Sequence, residues 1–216
     1  MNELAARREV VETALALSQS KLSPGRSGNV SRRWKNGMLV TPSGMAYDEI
    51  GEDDIVFVGP RGGVAKASRK PSSEWRFHLA IYGERADAGG VVHSHSLFAT
   101  TLACARKNIP AFHYMVAVAG GGDIPLVPYA TFGTEALSRN VVAGLKERNA
   151  CLMANHGQIA LGPTPAAALE LAQEVETLAA QYVRVLSLGE VHVLDAAEMR
   201  KVVKRFKSYG QEAQKG

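Results

Sequence analysis

Residues 72–95 read SSEWRFHLAIYGERADAGGVVHSH. Trp75, Leu79 and Tyr82 recur at helical spacing, so the first half of this segment predicts a helix capped by one of its two leading serines. The run VVHSH that ends the segment is short and apolar, which predicts a buried strand. A helix followed closely by a buried strand indicates a layered fold in which helices cover a sheet.

Strand-like and helix-like segments surround this pair. The first twenty or so residues predict an amphipathic helix that ends before Pro24, and hairpin-connected antiparallel strands follow between Asn29 and Val58. Three later helical runs surround a strand, a glycine turn and a second strand in ACLMANHGQIALG. Because no repeat, low-complexity stretch or long linker divides the sequence, we expect residues 1–216 to form a single α/β domain.

The charge pattern favours a small anionic substrate. The chain carries a formal net charge of +4, and its basic residues are scattered except near the C-terminus. Lys201, Lys204, Arg205 and Lys207 form that basic end, which is typical of a solvated helix face. No interleaving of aromatic and basic residues indicates a polynucleotide site, so we expect no nucleic-acid partner.

Cysteine usage and hydropathy indicate the cytoplasm. Cys104 and Cys151 lie in apolar runs without a paired spacing, which predicts buried, reduced thiols. The first twenty residues lack the apolar core of a secretory signal, and no run approaches the roughly 18 apolar residues of a membrane span. We therefore expect a cytoplasmic protein without a membrane partner.

Three histidines and a glutamate form a candidate metal set. On a strand, His93 and His95 point to the same face and could grip one ion, although such a pair also arises by accident. His156 follows an apolar run and could supply a third nitrogen, or be an ordinary turn residue. Glu74 lies at the start of a predicted helix, where a carboxylate also simply stabilises the helix dipole. Together the four would complete a tetrahedral set typical of Zn²⁺, and Co²⁺ or Mn²⁺ would suit the same ligands.

Two amide-rich turns are candidates for binding a phosphate. Residues 25–29 read GRSGN, and residues 71–73 read PSS directly before Glu74. Glycine loops and helix N-termini direct backbone N–H groups at anions, and serine hydroxyls add donors. Each turn alone is also an ordinary loop or cap, so only their combination with the metal candidates indicates a site.

Motifs along nearly the whole chain carry a resemblance. They are SGNVS at 27–31, GMLVTPSGMAYDEI at 37–50, KPSSEWRFHLAIY at 70–82, VVHSH at 91–95, IPAFHYM at 109–115, PYATFGT at 128–134, NHG at 155–157 and FKSYG at 206–210. In this order they are similar to the class II aldolase and aldolase-epimerase (adducin-like) family, and within it to the L-fuculose-phosphate aldolases.

This resemblance implies a three-layer α/β subunit with a mostly antiparallel central sheet, assembled as a homotetramer with active sites between subunits. It implies a metal set of Glu74, His93, His95 and His156. Its implied substrate-phosphate contacts are Gly28, Asn29, Ser43, Gly44, Ser72 and Ser73. By the same matching, Tyr114 comes from the neighbouring subunit as proton donor and acceptor, and the aldehyde end is lined by Phe132, Phe206 and Tyr209.

The implied reaction is metal-dependent cleavage of a ketose 1-phosphate into dihydroxyacetone phosphate and an aldehyde through an enediolate. The substrate would be L-fuculose 1-phosphate or the related 5-deoxy- or 5-methylthio-ribulose 1-phosphate. Glu74 would exchange the proton on the dihydroxyacetone phosphate carbon, and Tyr114 would handle the proton of the aldehyde oxygen. One departure is Arg26, which stands where these aldolases commonly carry threonine and either adds a phosphate contact or points to solvent.

Three other functions remain open at this point. Sugar-phosphate 4-epimerases of the family usually carry aspartate at the position of Glu74, which argues against that reaction. Tyr114 after His113 argues against the dehydratase pattern. A non-catalytic metal or sugar-phosphate binding module is the third alternative, and the presence of the complete candidate set argues against it.

Overall fold

A computed structural model describes residues 1–66 and 68–206. Its seven strands are β1 (Asn29–Trp34), β2 (Gly37–Val40), β3 (Val56–Val58), β4 (Gly90–Ser94), β5 (Leu126–Val127), β6 (Ala150–Met153) and β7 (Gly157–Gly162). Its six α-helices are α1 (Glu3–Gln19), α2 (Trp75–Glu84), α3 (Leu97–Cys104), α4 (Glu135–Gly144), α5 (Pro165–Leu188) and α6 (Ala196–Phe206). The numbers of strands and helices refer to residues 1–66 and 68–206.

The strands form one sheet in the order β3-β2-β1-β4-β7-β6-β5. All neighbouring pairs are antiparallel except β5 and β6, which run parallel. The prediction of a mostly antiparallel sheet is therefore confirmed. Strand β4, which carries the His-Ser-His segment, lies at the centre of the sheet between β1 and β7.

Helices cover both faces of the sheet, which confirms the three-layer α/β architecture. Helices α1, α3 and α5 pack on the face that includes Val30 and Val92. Helices α2 and α4 pack on the opposite face, which includes Val91 and Ile159. Since side chains alternate between faces along a strand, His93 lies on the same side as Val91 and therefore beneath α2. The fold thus directs this histidine toward the start of α2.

The structure also shows where the two cysteines and the basic C-terminal residues lie. Cys151 is buried as predicted, but Cys104 is exposed, because it is the last residue of α3 and lies on the solvent side. Both thiols are free. The basic C-terminal residues up to Arg205 lie on α6, as predicted for a helix face. Within the described ranges, no helix is long and apolar enough to cross a membrane.

Candidate active site

The three histidines lie at one end of the central strands. His93 is in β4, and His95 follows the end of that strand. His156 lies in the turn between β6 and β7, where Asn155 adopts a left-handed conformation with φ of 53°. Asparagine tolerates this conformation better than most residues, so it allows the tight reversal that directs His156 at β4. Because β4 and β7 are neighbours, the turn lies beside His95.

Glu74 is the N-cap residue of α2, so the prediction that Ser72 or Ser73 caps this helix is wrong. Its carboxylate makes no capping hydrogen bond, and the Glu74 N–H donates instead to Ser72 Oγ at 3.3 Å. The side chain is only 9% exposed because it turns away from the helix toward the histidines. The start of α2 therefore lacks a side-chain capping hydrogen bond, because the carboxylate lies against the imidazoles instead.

The four predicted donors converge on one point. Nε2 of His93 lies 3.0 Å from Nε2 of His95 and 3.2 Å from Oε2 of Glu74. His156 Nε2 lies 3.1 Å from the other carboxylate oxygen, Oε1. One ligand atom from each of the four residues lies within 4.8 Å of all the others. The planes of the three imidazole rings are steeply inclined to one another, at interplanar angles of 63° to 78°.

This arrangement of ligand atoms suits a cation with tetrahedral coordination. Bonds of 2.0–2.1 Å to Zn²⁺ would place neighbouring ligand atoms about 3.3 Å apart, close to the separations found here. Glu74 Oε1 is buried and lies 3.1 Å from His156 Nε2, but within residues 1–66 and 68–206 it has no hydrogen-bond partner of suitable geometry, so a bound cation would satisfy it. The donor set of nitrogens and one oxygen suits Zn²⁺, Co²⁺ and Mn²⁺.

Hydrogen bonding prepares His93 to be a ligand. Its Nδ1 lies 2.8 Å from the main-chain carbonyl oxygen of Gln158. A carbonyl oxygen only accepts hydrogen bonds, so Nδ1 carries the hydrogen. The lone pair of Nε2 then faces the other candidate metal-ligand atoms. Gln158 is itself fully buried, and its side-chain amide donates to Ser96 Oγ at 2.8 Å and to Ala172 O at 3.0 Å.

The electrostatics keep the carboxylate charged and at least one imidazole neutral. Burial raises the pKa of Glu74, but the contacts with His93 and His156 more than offset this effect and hold the pKa well below its usual range. Burial, together with repulsion from the neighbouring histidines, lowers the pKa of His95 to about 4. A neutral imidazole and an ionised carboxylate are the forms that bind a metal ion.

A cavity of about 350 Å³ opens beside these donors. Glu74, His95 and His156 form one part of its wall. Its lining also includes all the predicted phosphate contacts and one of the predicted aldehyde-end residues: Gly28, Asn29, Ser43, Gly44, Ser72, Ser73 and Phe132. The glycine loop and the residues before α2, which are far apart in sequence, therefore meet at one site.

Two other predicted residues lie elsewhere, and one lies outside the described residues. Tyr114 and Phe206 line a second cavity, where their rings stack at 6.5 Å between centroids. Neither ring lines the cavity beside Glu74. Tyr209 is beyond the described range. Within one chain, the structure therefore does not bring Tyr114 to the candidate metal donors.

The sequence predictions missed three residues. Tyr129 and Asn155 line the cavity beside the donors, and His78 lies behind Glu74 on the same helix. The spacing of four residues from Glu74 to His78 was a usable signal, because residues at i and i+4 share a helix face. Nothing comparable marked Tyr129, whose position depends on a loop.

Comparison with known proteins agrees with this fold. The family described as "Class II Aldolase and Adducin N-terminal domain" matches residues 8–183. A 5-methylthioribulose-1-phosphate/5-deoxyribulose-1-phosphate aldolase of Rhodospirillum rubrum is 49% identical, over 99% of this chain and 96% of that protein. An L-fuculose phosphate aldolase of Escherichia coli is 45% identical, over 97% of this chain and 96% of the relative.

A solved structure named L-fuculose 1-phosphate aldolase superposes with a TM-score of 0.90 at 38% identity. The match covers 94% of this chain and 96% of that one. Since the family match spans most of the sequence and the relatives align nearly end to end, the chain belongs to the class II aldolase and adducin N-terminal domain family.

Proposed function

We propose that this protein is a metal-dependent aldolase that cleaves a ketose 1-phosphate into dihydroxyacetone phosphate and an aldehyde. The observation that carries the proposal is the convergence of Glu74, His93, His95 and His156 beside a cavity whose remaining wall is rich in backbone amides and hydroxyls. The names of the relatives support L-fuculose 1-phosphate or a 5-deoxy- or 5-methylthio-ribulose 1-phosphate as the substrate.

Zn²⁺ is the cation we propose, because three imidazoles and one carboxylate at these separations suit tetrahedral coordination. When bound, the cation supplies Lewis-acid stabilisation for the negative charge that develops on the substrate oxygens during bond cleavage. The protein's own residues perform the other tasks. They bind the phosphate, orient the sugar and move the two protons that the reaction requires.

The phosphate end would lie in the amide-rich part of the cavity. Gly28, Asn29, Ser43, Gly44, Ser72 and Ser73 are the proposed contacts there. Binding a phosphate far from the reacting bond provides energy that orients the C3–C4 bond for cleavage. Phe132 lines the same cavity and is proposed to face the aldehyde end. Phe206 and Tyr209 are also proposed there, and Phe206, which lines a different cavity of its own chain together with Tyr114, would reach this end from a neighbouring copy.

Two residues would move protons. Breaking the C3–C4 bond leaves its electron pair on the three-carbon fragment as an enediolate, and the C4 hydroxyl loses its proton as the aldehyde forms. Tyr114 is proposed to handle that proton. In the aldol direction the Glu74 carboxylate would take a proton from C3 of dihydroxyacetone phosphate. In the cleavage direction it would return to C3 a proton taken up from solvent, which completes dihydroxyacetone phosphate. A carboxylate held in contact with two imidazoles is suitably placed for this exchange.

Assembly is part of the proposal. Tyr114 does not line the cavity of its own chain, and its side chain is half exposed. We propose that it reaches the cavity of a neighbouring copy in a homotetramer. We also propose that residues 1–216 form a single domain and that the protein acts in the cytoplasm.

The test is a cleavage assay on zinc-loaded and chelator-stripped protein. The three ketose 1-phosphates are offered in turn, and dihydroxyacetone phosphate is detected with a coupled reductase. Metal-dependent release from at least one substrate is expected, with activity restored by adding Zn²⁺. If metal-loaded protein releases none from any substrate, the aldolase is excluded, and product analysis would then look for epimerised or dehydrated sugar.

A further inference from the structure

A buried chain of side chains leads away from Glu74 into the layer between the sheet and α2. Asn29 Nδ2 lies 3.0 Å from Glu74 Oε2, and Asn29 Oδ1 lies 2.5 Å from His78 Nε2. On the other side of the ring, His78 Nδ1 lies 2.7 Å from Ser31 Oγ. Ser31 Oγ in turn lies 2.9 Å from the hydroxyl of Tyr82. Every member of this chain is buried.

Register explains why the chain can form. Asn29 pairs with His93 across β1 and β4, so the two side chains lie on the same face of the sheet, beneath α2. Ser31 lies two residues further along β1 and therefore points to that face as well. His78 and Tyr82 are four residues apart on α2 and face the sheet together.

The donors and acceptors in this chain of hydrogen bonds can be arranged in only one order. An ionised carboxylate only accepts, so the Asn29 amide nitrogen must face Glu74 and its carbonyl oxygen must face His78. The carbonyl only accepts as well, so His78 Nε2 must carry a hydrogen. In a neutral ring, Nδ1 then accepts from the Ser31 hydroxyl, and the Ser31 oxygen accepts from Tyr82.

The surroundings keep His78 neutral. The ring is fully buried, and in the part of the chain that the structure describes its two nitrogens contact Ser31 and Asn29 and no carboxylate. Burial, with a smaller contribution from His93, lowers the pKa of His78 to about 3. The Phe77 ring stacks on it at 4.8 Å between centroids, which further restricts its orientation.

We propose that His78 is a positioning residue that acts through Asn29 to hold the Glu74 carboxylate in the orientation its metal and proton-transfer roles need. The inference rests on the proposed function, and it adds a residue that does not touch the substrate. It also gives Asn29 a role besides the predicted phosphate contact. An unsupported glutamate would rotate among several conformations, whereas a directed hydrogen bond to Oε2 selects one.

The first test is spectroscopic and does not depend on turnover. In ¹⁵N-labelled, zinc-loaded protein, two-bond ¹⁵N–¹H spectra report which ring nitrogen of each of the six histidines is protonated. The His78 signals are assigned as those lost in the His78→Gln variant. We expect hydrogen on Nε2 and none on Nδ1 near neutral pH. Hydrogen on Nδ1, alone or together with Nε2, would overturn the directed chain.

The second test uses Zn²⁺ alone as the probe. Losing a residue that supports a metal ligand typically weakens metal affinity by about 10- to 100-fold, so we expect a loss of this size in His78→Gln. Ser31→Ala removes the donor to Nδ1 and the acceptor of the Tyr82 hydroxyl but leaves the bond from His78 to Asn29 in place, so a smaller loss is expected. Ser138→Ala is the matched control, because Ser138 is a buried serine on α4 whose hydroxyl, among the described residues, donates to the main chain of Thr134, the N-cap residue of the same helix.

Kinetics separate positioning from substrate binding. We expect kcat to fall in both variants by a larger factor than KM rises, because Asn29 is the only proposed phosphate contact that His78 orients and the others are retained. If His78→Gln fails to fold, Ser31→Ala alone decides the question. Folded variants that bind Zn²⁺ and turn over like the wild type would refute the role of His78. If the wild type itself cleaves no ketose phosphate, the proposed function fails, and the spectra and Zn²⁺ affinities still decide the positioning role.

Discussion

The backbone of Gly28 lies against the carbonyl of His93. A Cβ built on Gly28 would come within 2.9 Å of that oxygen and within 2.2 Å of Ser23 Oγ. Gly28 also has a φ of 99°, which side-chain-bearing residues rarely adopt. The glycine loop therefore lies so close to the strand that carries His93 that no Cβ fits between them.

Gly28→Ala is expected to displace this loop. The positive φ alone costs of order 1–3 kcal/mol, and the contact with His93 adds to that cost. We expect a lower denaturation midpoint and a raised KM for the ketose phosphate. The control is Gly25→Ala, because Gly25 has a φ of 64° but a Cβ added there would meet no atom within 4 Å, so it shares only the backbone strain. Equal effects of the two variants would contradict the close approach.

Arg26 is expected to bind the substrate phosphate. Its Nη1 donates to Gly44 O at 2.9 Å, and this hydrogen bond joins the two loops that are proposed to bind the phosphate. Among the residues that the structure describes, Arg26 supplies the only lysine or arginine side chain lining this cavity. A charge-assisted hydrogen bond contributes about 1.5–3 kcal/mol, so Arg26→Ala should raise KM roughly 10- to 100-fold.

Inorganic phosphate provides the measurement for Arg26. As a competitive inhibitor it should bind Arg26→Ala more weakly than the wild type, and Arg26→Lys should recover part of the loss by retaining the charge. Arg139→Ala, on the exposed side of α4, is the control. Unchanged phosphate inhibition in Arg26→Ala would indicate that this side chain only joins the loops.

Glu74→Gln is expected to damage both metal binding and proton transfer. The amide keeps the shape of the side chain but removes the charge that the contacts with His93 and His156 stabilise. We expect less Zn²⁺ per subunit after dialysis and a fall in kcat of about 10²- to 10⁴-fold in zinc-saturated protein. Glu84→Gln, at the exposed end of α2, should match the wild type in both measurements.

Tyr114→Phe is expected to separate proton transfer from metal binding. Because Tyr114 lies away from the four candidate ligands, its loss should leave Zn²⁺ content intact while kcat falls by roughly 10²- to 10⁴-fold. Tyr182→Phe, in a buried position of α5, is the matched control. Wild-type turnover in Tyr114→Phe would remove this residue from the mechanism.

Subunit mixing tests where Tyr114 acts. If it serves a neighbouring copy, exchanging subunits between Tyr114→Phe and Glu74→Gln proteins creates some sites with both native residues. Activity should then rise above that of either variant alone. Proven exchange with no recovery would mean that each site is built within one subunit.

The sequence predicted those parts of the site that depend on strand periodicity. His93 and His95 share a face because alternate strand residues must, and the structure brings their Nε2 atoms within 3.0 Å of each other. That they bind a metal stays a prediction. The sheet and its helical layers followed from the same kind of local pattern.

Features that depend on packing between distant segments were not predictable in this way. Propensity favours a serine as the N-cap of α2, but the helix begins at Trp75, so Glu74 holds the cap position while its carboxylate contacts the histidines. The position of Tyr114 near Phe206 depends on how α6 docks, which no local pattern specifies. Cys104 lies in an apolar run but faces solvent, because a helix end exposes part of its apolar surface.

The hydrogen bond from His93 to the main chain of Gln158 has a consequence for how this site can evolve. The acceptor is a peptide carbonyl, which every amino acid provides, so no single substitution at position 158 deletes it. Only a change in the pairing of β4 with β7 would remove it, and such a slip would invert the faces of a whole central strand. Side chains that line the cavity, such as Phe132, can therefore change through point mutations, whereas the main-chain hydrogen bond that sets the tautomer of His93 is kept as long as the sheet keeps its register.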